Sequence, residues 1–209
     1  MTNTSRRSLM IGAASLSLFA VAPAWAQEAK TVDLTDLLTP PELGDMIEGL
    51  DTAKVTVVEY ASASCPHCAA FHNEVYVKLK TDYIDTGKVR FVFREFPHND
   101  QGMAAFMVAR CSPKEKYFPL MDIFFKTQEK WVPDAFNQLK DIAKQSGMSE
   151  ADFEACLKNE KVAKGIWNVR DKADKKYGVT GIPTIFVNGK AFDGERTFAA
   201  MKAVIDPLL

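Results

Sequence analysis

The chain's chemistry is concentrated in Cys65-Pro66-His67-Cys68, two thiols separated by two residues. Such a pair can hold a metal, staple a loop or carry electrons. Ser64 reads as the N-cap of a helix that starts at the pair, and Pro66 falls at an early helical position where its missing N–H costs nothing. At a helix start, unpaired N–H groups and the helix dipole favour an anion. Cys65 is therefore the candidate nucleophile, with a thiolate favoured below the usual ~8.5 of a free thiol. Stabilising that thiolate stabilises the dithiol, which makes the disulfide the stronger oxidant. Cys68, one turn deeper beside Phe71, is the candidate resolving thiol. His67 can give the Cys65 thiolate a hydrogen bond or a positive charge; the plainer alternative is a solvated loop histidine. A zinc set of Cys65, Cys68, His72 and His98 is disfavoured. Cys68 and His72 stand i,i+4 on a helix instead of a knuckle turn, and structural zinc usually serves domains that lack a core. His72 is expected as a partly exposed helix residue.

The elements around the pair follow from periodicity. Val55 to Tyr60 is a β-branched run and the strongest strand. Glu59 is its odd member; alternation groups it with Val55 and Val57, on the side that favours burial. After Cys68, Phe71, Val75 and Leu79 recur at helical spacing, and the helix ends before Gly87. Val89 to Phe96 is a second strand. Strand, helix and strand in this span make a βαβ unit with a parallel pair. From Pro97 to Gly178 the period is helical, with faces carried by Met103 and Phe106, by Leu120 and Phe124, by Phe136 and Leu139, by Phe153 and Cys156 (capped by Ser149), and by Val162 and Ile166. Thr184 to Val187 is a strand, Asn188-Gly189 a hairpin turn, Lys190 to Phe192 the return strand, and Phe198 to Leu208 a terminal helix. Before all this, Thr31 to Leu38 alternates weakly, as a short strand would.

The first 26 residues differ. Arg6 and Arg7 are their only charges, Leu9 to Ala22 is apolar, and Ala24-Trp25-Ala26 is a small-x-small cleavage signal. The apolar run is shorter than the ~20 residues a span needs, so it reads as a cleavable signal peptide instead of an anchor. Ser5-Arg6-Arg7 also fits a twin-arginine signal, with a plain basic n-region as the equal alternative. The whole chain has 209 residues, 47% hydrophobic and 25% charged, with a formal charge of -1, which gives no nucleic-acid signature. An exported chain with four cysteines belongs in an oxidising compartment, where disulfides persist. The expected organisation is a signal peptide (1–26), a leader (27–50), a sheet domain (51–96 and 179–209) and a helical insertion (97–178).

A βαβ–ββα sheet domain with C-x-x-C after its first long strand resembles the thioredoxin fold, and the helical insertion resembles the DsbA-like branch of that superfamily. The Pro-His dipeptide is typical of that branch. Gly181-Ile182-Pro183-Thr184 is similar to the loop that carries the family's cis-proline. The resemblance covers about residues 45–209. It implies a cis Pro183 beside the disulfide, with the Ile182 backbone free to pair with an extended client; without it, a trans proline opening a strand is the default. It also implies that Glu59 is a buried acid beneath the disulfide, able to relay the Cys68 proton. Cys111 and Cys156 are not general to the superfamily. They sit on different helices and are read as a structural bridge, which over about 45 residues is worth roughly 4 kcal/mol; a second redox relay is the alternative.

Several functions stay open on the sequence. The leading one is a periplasmic dithiol oxidase that gives its disulfide to newly exported cysteine-containing proteins and, as the resemblance implies, is reoxidised by a membrane quinone-linked partner. No cofactor is expected. Isomerases of the superfamily resemble a catalytic domain joined to a dimerisation domain. The short span before the first strong strand leaves little room for one, which favours a monomer. A reductase is disfavoured by the Pro-His dipeptide. A chaperone holding unfolded clients would need apolar surface and no thiols.

Overall fold

The structure is a computed structural model that describes Met1 and residues 30–209. The signal-peptide and export readings lie outside the described residues. The first described element is a short helix, α1 (Leu34–Leu37), where alternation had pointed to a strand. Asp33 caps it by accepting from the Asp36 N–H, and a local side-chain cap of this kind outcompetes weak alternation. Only Thr31 makes a β-bridge, to Lys190.

Five strands form one mixed sheet. β1 (Met46–Glu48) lies on an edge, inside the segment expected to be a leader, and pairs antiparallel with β3 (Val89–Glu95). β2 (Val55–Ala61) runs parallel to β3 and antiparallel to β4 (Thr184–Val187). β5 (Lys190–Ala191) closes the other edge, so the order is β1-β3-β2-β4-β5. Asn188 and Gly189 both have positive φ, 47° and 83°, which is the two-residue turn that such a hairpin requires.

The parallel pair is joined by one helical stretch over residues 66–84. It opens as α2 (Pro66–Phe71) and carries π-helical turns at His72–Tyr76 and Lys80–Ile84. β2 is buried along its whole length, because both faces of the sheet are covered. One face packs Val57, Phe91, Phe93 and Ile185 against Phe71, Val75, Leu79, Met201 and Ile205. The other packs Val58, Tyr60, Val92 and Phe186 against Val169, Ala173 and Tyr177.

Between β3 and β4 the chain forms six helices: α3 (Asp100–Cys111), α4 (Tyr117–Lys126), α5 (Gln128–Trp131), α6 (Ala135–Gln145), α7 (Glu150–Leu157) and α8 (Glu160–Tyr177). Ser149 caps α7 as expected. Phe136 leaves the core side of α6 and stays half exposed, its ring edge-on to Phe153 at 5.6 Å. Cys111 and Cys156 are bridged, tying α3 to α7. The terminal helix is α9 (Phe198–Ile205).

Two buried ion pairs stitch the additions to the end of β3. Arg94 meets both oxygens of Asp45 at 2.9 and 3.0 Å and also donates to Tyr60 Oη. Arg110 of α3 meets Glu95 at 2.5 and 2.9 Å, and Tyr117 Oη donates to the same carboxylate.

Candidate active site

β2 ends at Ala61, and the chain turns over Ser62–Ser64 into α2, so the cysteine pair sits at the C-terminal edge of the sheet's central strand. The N-cap is Cys65 itself, not Ser64. The Ser64 hydroxyl is engaged elsewhere: it donates to Asn99 Oδ1 at 2.6 Å, and that oxygen also caps α3 through the Gly102 N–H. Cys65 N–H donates to Ser62 O, which closes the turn. Pro66 takes the first helical position, as its missing N–H allows.

Both cysteines are thiols in this structure, Cys65 at 7% exposure and Cys68 fully buried. Their environments drive their titrations apart. The Cys65 thiol is pulled down to about 5, first by the hydrogen bond from Cys68. Burial opposes this, while the N–H groups of Cys68 and His67 and the charge of His98 add to it. Cys68 is pushed far above the usual thiol range by burial, then by the sulfur it bonds to. One sulfur is thus a thiolate at neutral pH and the other holds its proton.

His67 is exposed on the first turn of α2, and its backbone N–H faces the Cys65 sulfur. The ring charge acting on Cys65 belongs to His98, which the sequence had offered only as a metal ligand; its Nε2 lies 3.2 Å from Asn99 Nδ2. His72 is a correction. It is buried at 2% exposure, stacked on Tyr76 at 4.2 Å, and its Nε2–H donates to Asp122 Oδ1 at 2.6 Å. The aromatic wall of Tyr76 and Phe125 closes over it, a neighbour from α4 that helical spacing cannot reveal. Among the described residues, no group of three or more His, Cys, Asp or Glu is placed to hold a metal ion.

Glu59 is fully buried with neither carboxylate oxygen hydrogen-bonded, and burial raises its pKa to about 8. Its charge, when present, acts on Cys68. The Ile182–Pro183 bond is cis, and the Ile182 carbonyl oxygen lies 3.9 Å from Cys65 Sγ. Beside them runs a cleft of about 340 Å³, lined by His67, Phe71, Glu74, Ile182, Pro183 and Arg196. Arg196 donates to the Pro183 carbonyl at 3.3 Å.

Two contacts were missed by sequence reasoning. Asn99 reaches Ser64 from the β3–α3 loop, and Gln128 of α5 donates to the carbonyls of Ala63 and Cys65. Gln128 carried a faint signal: a polar residue at helical spacing from Phe124, Phe125 and Trp131 stands on an apolar face.

A C-x-x-C at the end of the central strand, faced by a cis-proline loop, defines the dithiol class of thioredoxin-fold proteins. The sequence matches the Thioredoxin family over residues 42–207, and the chain belongs to that family, in its DsbA-like branch. It is 35% identical over 165 residues to a putative protein-disulfide oxidoreductase of Rickettsia bellii, covering 78% of this chain and 62% of that relative. The chain therefore spans less than two thirds of the length of that relative. It is 30% identical over 168 residues to a probable disulfide bond formation protein D of Bacillus cereus, covering 76% of each. The crystal structure of Wolbachia pipientis alpha-DsbA1 superposes with a TM-score of 0.77 at 30% identity, covering 84% of this chain and 96% of that one.

Proposed function

We propose that this protein is a dithiol oxidase that donates the Cys65–Cys68 disulfide to cysteine-containing proteins exported to the periplasm. The observation that carries the reading is the placement of the two thiols: Cys65 at the N-cap of α2, where the hydrogen bond from Cys68 and the N–H groups of Cys68 and His67 favour its thiolate, and Cys68 a turn inside, where burial holds its proton. A sulfur that is stable as an anion is a good leaving group, and it stabilises the reduced enzyme over the oxidised one.

The cycle balances as two exchanges. A client thiolate attacks Cys65 Sγ of the disulfide; the Cys65–Cys68 bond breaks and a mixed disulfide forms. Cys68 leaves as a thiolate and takes a proton, for which Glu59, neutral at pH 7 with its pKa near 8, is the nearby buried donor. The client's second thiolate then attacks the client sulfur of the mixed disulfide and releases Cys65 as the stabilised thiolate. The client ends with a disulfide and the enzyme with a dithiol. Throughout, Ile182 and Pro183 line the cleft beside Cys65, where the Ile182 backbone is placed to pair with an extended client; such pairing reads little sequence. Pro66 and His67 shape the first turn, His67 through its N–H.

Return of the enzyme to its disulfide needs an oxidant, and a membrane quinone-linked oxidase is the partner this reading assigns. Residues 1–26 act as the export signal, and the catalytic unit works as a monomer. Among the described residues no helix is long and apolar enough to cross a membrane.

Equilibration with glutathione tests the reading. The expected potential lies well above the roughly -270 mV of thioredoxin; a value at or below it makes the protein a reductase. Cys65→Ser is expected to abolish oxidation of a reduced client, whereas a client-holding chaperone would keep its activity.

A further inference from the structure

Gln128 comes from the inserted helices, 63 residues away from Cys65 in sequence. It is 8% exposed, and its carboxamide nitrogen lies 2.8 Å from Ala63 O and 3.1 Å from Cys65 O. A carboxamide carries two N–H donors, one for each carbonyl. Ala63 belongs to neither strand nor helix, so no β-ladder fixes it, and Cys65 is the N-cap of α2, its carbonyl also accepting from Ala69 N–H at 3.0 Å. Two further ties join the same segment to the active-site helix: His72 to Asp122, and Asn73 Nδ2 to Phe125 O at 3.2 Å. Those bonds fix the body of the helix about two turns further on. Of the three, only Gln128 reaches the turn that carries the nucleophile.

We propose that Gln128 is a positioning residue of the dithiol: from the helical insertion it fixes the Ala63–Cys65 turn, and with it the place of Cys65 Sγ. The inference rests on the reading of Cys65 and Cys68 as a working redox pair. It gives the insertion a direct role in that chemistry. Loss of the carboxamide has two effects of the same sign. The buried Ala63 carbonyl loses this donor, which frees the turn to shift away from its present geometry. Two N–H dipoles with their positive ends toward the turn also disappear, which disfavours an anion there.

The test uses the purified protein with Gln128→Met, of similar length and without donors, and with Gln128→Asn, whose amide is drawn back by one methylene. The readouts are the Cys65 midpoint by ultraviolet thiolate absorbance, the equilibrium with glutathione, and Tm. The expected result is a midpoint raised by about one pH unit and a glutathione equilibrium moved about tenfold toward the disulfide, the equivalent of losing one buried hydrogen bond. A lowered Tm with an unmoved midpoint makes Gln128 a structural residue only and overturns the proposal, as does no change in either. Failure of both variants to fold does the same. A wild-type midpoint in the ordinary thiol range instead overturns the redox reading beneath it, and the proposal with it.

Discussion

Cys65 and Cys68 are the same residue type, three positions apart, yet their protons are held very differently. Helical geometry accounts for this: one sulfur stands at the start of the helix among N–H groups, the other a turn inside, fully buried and hydrogen-bonded to the first. Glu59 completes the asymmetry, since an ionised carboxylate there would be fully buried with no protein donor beside it. Its effect on stability has a definite sign. Burial raises its value from 4.5 to about 8, so between those limits the unfolded chain ionises and the folded chain does not. The stabilisation is complete below the lower value and is lost as pH rises through the upper one. Glu59→Gln removes that slope. In denaturant unfolding of the disulfide form, where neither cysteine titrates, the native protein is expected to lose roughly 3 kcal/mol more than Glu59→Gln between about pH 5 and about pH 7.5. Equal slopes would mean that Glu59 is solvated in solution. The burial itself was only half legible: alternation put Glu59 with Val55 and Val57, but both faces of β2 are covered, so alternation in this strand carries little information.

At the scale of elements, the active-site turn is held from two directions, by the cap of α3 and the start of α5, and is faced from a third by the cis-proline loop. Gly102 leaves room for the turn against α3. A Cβ there would lie 2.5 Å from Ser62 Oγ and 2.7 Å from Ser64 Oγ, inside any normal contact. Gly102→Ala is therefore expected to push α3 off the turn and cost about 1–3 kcal/mol in unfolding free energy. A stability equal to wild type would show that the two hydroxyls rotate away freely. The elements themselves were largely readable, because helical spacing and the Asn188-Gly189 turn are local signals. The errors came where a local rule met a distant partner. Ser64 has the right chemistry for a cap, but Asn99, from another element, takes its hydroxyl, and the cap falls to Cys65. His72 has the spacing of a helix flank, but α4 covers that flank.

For the whole molecule, two buried ion pairs fasten the additions to the sheet, Asp45–Arg94 and Glu95–Arg110, while the Cys111–Cys156 bridge ties two helices of the insertion to each other. The two ion pairs are buried and hydrogen-bonded by tyrosines, so breaking either leaves an uncompensated charge. The bridge links positions 45 residues apart, so replacing both cysteines by serine is expected to remove roughly 4 kcal/mol in the chain-entropy model. For a chain of this size that lowers Tm by about 8–16 °C. Exchange with glutathione at Cys65–Cys68 should be unaffected, and mild reductant should open that pair before Cys111–Cys156. A changed exchange equilibrium in the double variant would turn the second bridge into a redox relay.

The sequence by itself determined the redox dipeptide, the βαβ core, the hairpin and the helical insertion, because each is written in residues a few positions apart, where spacing and backbone preference decide. Only the tertiary structure decided which neighbours act on the thiols. Gln128, His98, Asn99 and Ile182 stand 30 to 120 residues from them in the chain, and their approach depends on how whole elements pack, a sum over many contacts that no short stretch encodes.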